Sequence, residues 1–396
     1  MPPTTPLTVA WISDFPIEWL ADIPEPLRHL PRQHPATWEM VLLGEFERNP
    51  ALCVHVIILR KNIARSFSFQ RNGITFHLLK YLGGTRGSTI FWMDTLLIRR
   101  ALRKIQPDIV HAWGSERGAG LVATRLEYPS LITMQGLFTS IAELLPISAH
   151  DKLIVWTEKI CLARAKNVST ESRFGVAYLQ PRYPHLTIHQ IEHAPNWVFH
   201  NVPRQPAAGP IRFLTYGTLG YGKGTDLLLL ALNELISELP FEAVIIGKPN
   251  DQFLAPLKAR LSPELWRRLT FKSNLQPAQI ADELSKATIF LFPTRADTSP
   301  NAVKEAVVAG VPVLGSKVGG IPDYVIPGEN GLLFTSGDEA EFAATIRAAI
   351  AHPLFSRGNV TPSSLAKHRE YLSPVRMAQL FLSTYEKLNP QHRHHP

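Results

Sequence analysis

The strongest constraint in this sequence is an alternation. Short runs of β-branched and aromatic residues recur along most of the chain, separated by stretches whose apolar residues keep helical spacing, and that grammar builds parallel sheets with helices on both faces. In the first half the runs are residues 8–12, 53–59, 75–80, 108–112, 131–134 and 167–170. The second half repeats them at 212–216, 242–246, 270–272, 288–292, 311–315 and 331–334. Two such sets predict an α/β chain of two Rossmann-like domains facing each other across a central cleft: residues 1–202 and 203–370. The linker falls at 201–210, where Pro203, Pro206, Gly209 and Pro210 forbid a helix. Ser373 caps and Pro374 opens a last helix within 371–390, expected to pack back on the amino-terminal domain, and the tail 391–396 is read as disordered.

Composition agrees with this architecture. A chain of 396 residues, 45% apolar and 19% charged, has material for two compact domains and too little charge for disorder. The amino terminus lacks a basic start and a long apolar core, and no apolar run could span a bilayer, so the expectation is a cytoplasmic protein. Cys53 and Cys161 have no metal-ligand spacing around them and read as buried free thiols.

Residues 287–334 read as strand, loop, helix, strand, glycine loop and strand, with polar residues gathered at strand ends, where open α/β sheets bind ligands. Ser299 and Pro300 read as an N-cap and first-turn pair, the helix spans Asn301–Ala309, and Gly310 supplies a left-handed stop. The amino end of such a helix offers unsatisfied amides to an anionic or hydroxyl-rich ligand. Glu305 lies beside the packing face of Ala302, Val303, Ala306 and Val307. A carboxylate in so apolar a helix needs a partner: ribose hydroxyls are one reading, a solvated or salt-bridged Glu the other.

The stretch DTSPNAVKEAVVAGVPVLGSKVGGIPDYVIPGENGLLF resembles the signature of family 4 retaining glycosyltransferases (glycosyl transferases group 1). Its elements are two acids separated by seven residues, here Asp297 and Glu305, then a Pro-Val strand and a GG-x-P-[DE] loop, here Gly319 to Asp323. The first acid is Asp where the family more often has Glu. The resemblance implies a GT-B fold and metal-independent, retaining transfer of a sugar from a nucleotide-diphosphate sugar to a hydroxyl acceptor. That acceptor is a glycan, a lipid-linked or a small molecule, in polysaccharide or glycolipid biosynthesis, with no cofactor and no bound metal. It also implies that Thr298, Ser299, Pro300 and Asn301 line the donor sugar through backbone amides, and that Glu305 holds the ribose.

A second glycine-rich loop, Gly217 to Gly224, follows a strand and can bring amides and Lys223 onto phosphates. Gly217, Gly222 and Lys223 have the spacing of a P-loop, but Gly224 stands where Ser or Thr must bind magnesium, which disfavours a nucleoside triphosphatase. The loop also resembles the family's G-R-L-x-x-x-K-G element, with Thr218 in place of its Arg. Lys223 then carries the diphosphate, with Arg295 or Lys248 as a substitute cation, and Lys223, Glu305 and Asp297 form the expected catalytic set. Gly247 and residues 274–276, Leu275 among them, stand where the family places the nucleobase.

In the first half, His111 and the loop at Gln135 and Gly136 resemble the family's acceptor-domain strand ends. Gln135 replaces a usual His and cannot exchange protons, and a lone strand-end His111 is also what a structural residue looks like. The net charge of +8 is concentrated: ten basic residues (Arg60, Lys61, Arg65, Arg71, Lys80, Arg86, Arg99, Arg100, Arg103 and Lys104) face one acid, Asp94, between positions 60 and 104. Interleaved aromatics and an amphipathic helix over 91–105 suit a packed surface helix, and equally a peripheral contact with anionic lipid or a charged acceptor. Nothing points to nucleic acid. A sugar- or nucleotide-binding GT-B protein without catalysis is the alternative that Thr218 and Gln135 motivate.

Overall fold

The structure, a computed structural model, describes residues 6–31, 36–206 and 209–389. Residues 391–396, read above as disordered, lie outside the described residues. The chain divides into two compact units. One comprises the described residues through Glu171, then Gly175–Glu192, then those from Pro374 on; the other comprises Ser172–Phe174 and His193–Ser373. No helix among the described residues is long and apolar enough to cross a membrane.

The first unit holds eight strands: β1 (Leu7–Ile12), β2 (Leu52–Arg60), β3 (Phe67–Arg71), β4 (Ile74–Lys80), β5 (Ile109–Trp113), β6 (Ser130–Thr133), β7 (Asn167–Thr170) and β8 (Thr187–Gln190). Their order is β3-β4-β2-β1-β5-β6-β7-β8, parallel except for the antiparallel edge pair β3 and β4. A parallel sheet covered on both faces needs continuously apolar strands, and β5 is buried at every position. Strand β3 was not anticipated because Ser68 and Gln70 dilute its apolar content. Its signal was present in Asn72-Gly73, which take left-handed φ of 47° and 81° as the two-residue turn of a hairpin.

The expected amphipathic helix is Trp92–Ile105, which buries Ile98 and Leu102 and leaves Arg100, Arg103 and Lys104 exposed. The last helix, Pro374–Leu388, packs in this same unit against the helix Thr37–Phe46. It buries Met377, Phe381 and Tyr385, so the expected return of the carboxyl terminus to the first sheet is what the fold shows.

The second unit has six parallel strands: β9 (Ile211–Tyr216), β10 (Phe241–Ile246), β11 (Leu269–Lys272), β12 (Ile289–Phe292), β13 (Val313–Ser316) and β14 (Gly331–Phe334). The order is β11-β10-β9-β12-β13-β14, the doubly wound arrangement that reverses between its first and fourth strands, here β9 and β12. One face packs Leu229, Leu232, Phe342 and Ile346, the other Val303, Val307 and Tyr324. Strand β13 begins two residues later than expected. The amide of Val311 closes the preceding helix on Ala306 O, and Pro312 has no N–H to give a ladder.

Candidate functional site

The loops that follow β9 and β12 leave the sheet side by side at its reversal point. They are stitched together by Gly222 O, which accepts from the amide of Arg295 (2.9 Å) and the hydroxyl of Thr294 (3.1 Å). Gly224 makes this approach possible: its φ is +66°, and a Cβ there would lie 1.8 Å from Pro293 O. No Ser or Thr fits at that position, so the magnesium-binding hydroxyl of a P-loop has no place in this loop.

Lys223 Nζ donates to Asp297 Oδ2 at 2.5 Å, and Asp297 Oδ1 accepts the amide of Ser299 at 3.1 Å. The first acid of the signature is thus held by the very cation expected to grip phosphate. Thr218 is exposed and leaves the position of the family's Arg without a charge. Arg295 does not replace it. Its guanidinium forms a bidentate pair with Asp226 (2.7 Å to each oxygen), donates to Tyr221 O and lies 3.9 Å from the centroid of the Tyr221 ring. A fork so fully engaged is not an available phosphate ligand.

The helix Asn301–Ala309 begins where expected and ends on Gly310 in the left-handed region. Its cap differs: Pro300 is the N-cap, no side chain caps it, and the Ser299 hydroxyl pairs with that of Tyr324 at 2.7 Å. Proline at the cap leaves the first-turn amides without a side-chain acceptor. Glu305 is 8% exposed, and its Oε2 accepts from the Tyr216 hydroxyl at 2.8 Å. Its other oxygen accepts no hydrogen bond among the described residues. Burial pushes this carboxyl up to about 7, only partly offset by the Tyr216 hydroxyl and the charge of Lys304. The reading of Glu305 as a solvated surface acid is therefore wrong, because the packed helix takes it out of water. Tyr216 received no role from sequence, although period-2 spacing puts it with Leu214 on the face of β9 that meets this helix.

The glycine pair at 319–320 has a geometric reason. Gly319 has φ +56°, and a Cβ on it would fall 1.5 Å from Asp297 O; one on Gly320 would fall 2.4 Å from Thr298 O. The loop thus presses backbone to backbone against the segment that carries Asp297 and Thr298. Asp323 secures it by accepting the amide (2.7 Å) and Nε (2.9 Å) of Arg173, while Ser172 Oγ donates to Thr298 O at 3.0 Å. Gly247, after β10, abuts Gly217 O so closely that a Cβ would be 2.3 Å away, and Leu275 is half-buried against the layer containing Tyr216 and Ile246.

In the first unit the structure separates the acceptor-side candidates. His111 is fully buried in β5, with Nδ1 on the Tyr385 hydroxyl and Nε2 on Thr133 Oγ1, each at 2.6 Å. It joins the last helix to the sheet as a core residue, with both ring nitrogens engaged and no surface exposed. Gln135 and Gly136 stay half-buried beyond β6. Gln135 Nε2 donates to Glu39 at 2.8 Å, and Ser13 also bonds that carboxylate. Burial pushes Glu39 up to about 8. Nothing local in the sequence marked Glu39, which looks like an ordinary helix-surface acid.

Comparison with known proteins bears on the fold and on the sequence of the second unit. By fold the molecule is a GT-B protein. Sucrose-phosphate synthase from Thermosynechococcus elongatus superposes with a TM-score of 0.77 at 17% identity over 97% of this chain and 100% of its own. Anabaena HepE in complex with UDP-glucose does so with a TM-score of 0.68 at 14% identity, over 96% and 100%. By sequence, residues 210–352, within the second unit, match the family model for glycosyl transferases group 1. The chain is similar to the glycogen synthase of Mycobacterium tuberculosis, 27% identical over 40% of this chain and 38% of that protein. It is also similar to a D-inositol 3-phosphate glycosyltransferase of Streptomyces avermitilis, 30% identical over 34% and 31%. The matches thus span less than half the length of these relatives.

Proposed function

We propose that this protein is a retaining, metal-independent glycosyltransferase that moves a sugar from a nucleotide-diphosphate sugar to a hydroxyl acceptor. The observation that carries the reading is the gathering of Lys223, Asp297 and the uncapped start of the Asn301–Ala309 helix at the sheet's reversal point, with Glu305 buried one turn further on. Glu305 has the character a ribose ligand needs: a buried carboxylate with one oxygen engaged by Tyr216 and hydrogen-bonding capacity left for hydroxyl donors.

The chemistry asks for charge stabilisation. The bond from the anomeric carbon to the diphosphate oxygen breaks, positive charge grows on the sugar ring, and negative charge grows on the departing phosphate. Lys223 moves from Asp297 to that phosphate and the helix amides add their dipoles, while the acceptor hydroxyl attacks from the same face and passes its proton to the leaving oxygen. Asp297 is the resting partner that keeps Lys223 extended. Gly247 and Leu275 border the nucleobase, and Thr298 to Asn301 the donor sugar. On the acceptor side Gln135 offers a hydrogen bond but no base. The reading extends to a peripheral contact with an anionic bilayer, since Trp92, Met93 and Leu96 are exposed on the helix that carries Arg100, Arg103 and Lys104.

A thermal-shift screen of nucleotide sugars identifies the donor, and its slow hydrolysis is then compared in wild type, Lys223→Ala and Glu305→Ala. Both variants are expected to lose more than about a hundredfold in rate with unchanged circular dichroism. Near-normal turnover by both would sink the assignment. Donor binding without turnover in the wild type would favour the non-catalytic alternative.

A further inference from the structure

Two buried carboxyl groups of the first unit, Glu39 and Glu158, take no part in the donor chemistry, yet both hold the loop that carries Gln135. That loop leaves β6 with the amide of Met134 on Ser169 O (2.8 Å), passes through Gln135, Gly136 and Leu137, and enters the helix Phe138–Leu144. The N-cap of this helix, Leu137, offers no side-chain acceptor. Glu158, fully buried in the helix Ala149–Arg164, supplies one from outside: Oε2 accepts the amide of Phe138 at 3.1 Å, and Oε1 that of Thr139 at 2.8 Å. Oε1 also accepts the Thr139 hydroxyl (2.7 Å), and Oε2 that of Ser115 (3.0 Å), which lies beyond β5. One carboxylate thus ties together the loops that follow two neighbouring strands.

Glu39, in the helix Thr37–Phe46, holds the polar side chain of the same loop. Its Oε1 accepts from Gln135 Nε2 at 2.8 Å, and its Oε2 from the hydroxyl of Ser13, just past β1. An amide nitrogen donates and does not accept, so this bond decides which way the Gln135 amide is turned: nitrogen toward Glu39, carbonyl oxygen away from it. Oε1 accepts in either charge state, because the proton of a neutral Glu39 bridges Oε2 and Ser13. The Gln135 carbonyl oxygen accepts no hydrogen bond among the described residues. Gln135 is half-buried, and a Cβ on the adjacent Gly136 would meet nothing within 4 Å, so the outer side of the loop is open.

We infer that Glu39 and Glu158 are positioning residues for the acceptor: they fix the loop after β6 so that the Gln135 carbonyl oxygen receives a hydroxyl next to the attacking one. This role rests on the glycosyltransferase reading and adds to it the residues that act through Gln135. The attacking hydroxyl keeps its own proton for the leaving oxygen, since Gln135 binds its neighbour and takes no proton from either. The two carboxyl groups differ in what can replace them. Glutamine at 39 still offers a carbonyl to Gln135 and an N–H to Ser13; burial pushes Glu39 up to about 8, so the amide mimics its neutral form. At 158 both oxygens accept a backbone amide, so a glutamine turned either way sets its NH2 against an N–H that can only donate.

Transfer from the donor found by thermal shift is measured on the full chain with glycerol and with 1-propanol, which has no second hydroxyl for Gln135. Wild type is expected to use glycerol about tenfold faster. Glu39→Gln should keep that ratio, whereas Glu39→Leu and Glu158→Gln should bring it near one, with KM for the donor within about twofold of wild type. A merely structural role slows both transfers together and leaves the ratio intact. That result, a wild type without the preference, or its loss in Glu39→Gln would overturn the inference, and the Glu39 pair decides if Glu158→Gln does not fold. In protein labelled with ¹⁵N-glutamine and free of ligand, the Gln135 side-chain amide should exchange slowly in wild type and Glu39→Gln and fast in Glu39→Leu. Equal exchange in all three overturns the inference whether or not a donor turns over. Absence of turnover in wild type counts against the transferase reading instead, and the amide pattern is scored independently of it.

Discussion

Replacing Glu305 by Gln should stabilise the empty protein at alkaline pH while destroying its grip on a nucleotide sugar. Burial raises the folded-state pKa of this carboxyl from 4.5 to about 7. Below pH 4.5 both states hold the proton and there is no penalty. Between these values the unfolded chain releases its proton while the folded one keeps it, so stability falls as pH rises, and above about pH 7 the penalty is constant. At about 1.4 kcal/mol per pKa unit the full penalty is ~3.5 kcal/mol, of which about 2.5 kcal/mol develops between pH 5 and pH 8. Gln has the same shape, does not titrate, and its carbonyl can still accept from Tyr216. Whatever its buried amide costs is the same at both pH values and cancels. The stability of Glu305→Gln relative to wild type should therefore improve by about 2.5 kcal/mol from pH 5 to pH 8. Hydrogen exchange of the 301–309 segment across a urea series reads this locally, which matters because two units need not unfold in one transition. Donor affinity should fall by more than about a hundredfold, as one partner of two ribose hydrogen bonds is compromised. A difference that stays flat with pH would refute the burial argument, and wild-type donor affinity would refute the ribose role.

Other substitutions separate packing from chemistry. Gly319→Ala forces a Cβ against Asp297 O at positive φ, so it should cost more than about 2 kcal/mol in urea titrations and abolish donor-induced thermal shift. Arg295→Ala breaks a half-buried bidentate pair and should cost about 1 to 3 kcal/mol, yet leave UDP affinity within about threefold. A hundredfold loss would restore Arg295 as a phosphate ligand. His111→Phe removes the imidazole from the Tyr385 hydroxyl in the core, while Thr133 keeps its bond to Ser169 Oγ, so melting should register a loss of about 1 to 3 kcal/mol, with KM for the donor unchanged.

Much of the fold was legible because its determinants are local. Every anticipated strand is present within two residues of its expected ends, and the Asn301–Ala309 helix with its Gly310 stop emerged from spacing and turn chemistry alone. Failures arose where a residue's partner lies far along the chain. Arg295 had the right type and place for a phosphate ligand but meets Asp226, 69 residues away, and Ser299 prefers the Tyr324 hydroxyl to capping its own helix. His111 showed a strand-end position in sequence, whereas the last helix, 274 residues on, makes it a core joint.

By itself, then, the sequence determined that two parallel sheets form, where their glycine loops fall and where the Asn301–Ala309 helix starts and stops. These follow from dihedral preferences and hydrophobic periodicity within short windows. Only the tertiary structure decided that Lys223 rests on Asp297, that Tyr216 engages Glu305 from 89 residues away, and that Glu158 ties together the loops after β5 and β6. Those pairings follow from strand order, since neighbours in a parallel sheet bring together loop ends that are remote in the chain. The burial that sets the charge state of Glu305 likewise exists only once both layers have packed on the sheet.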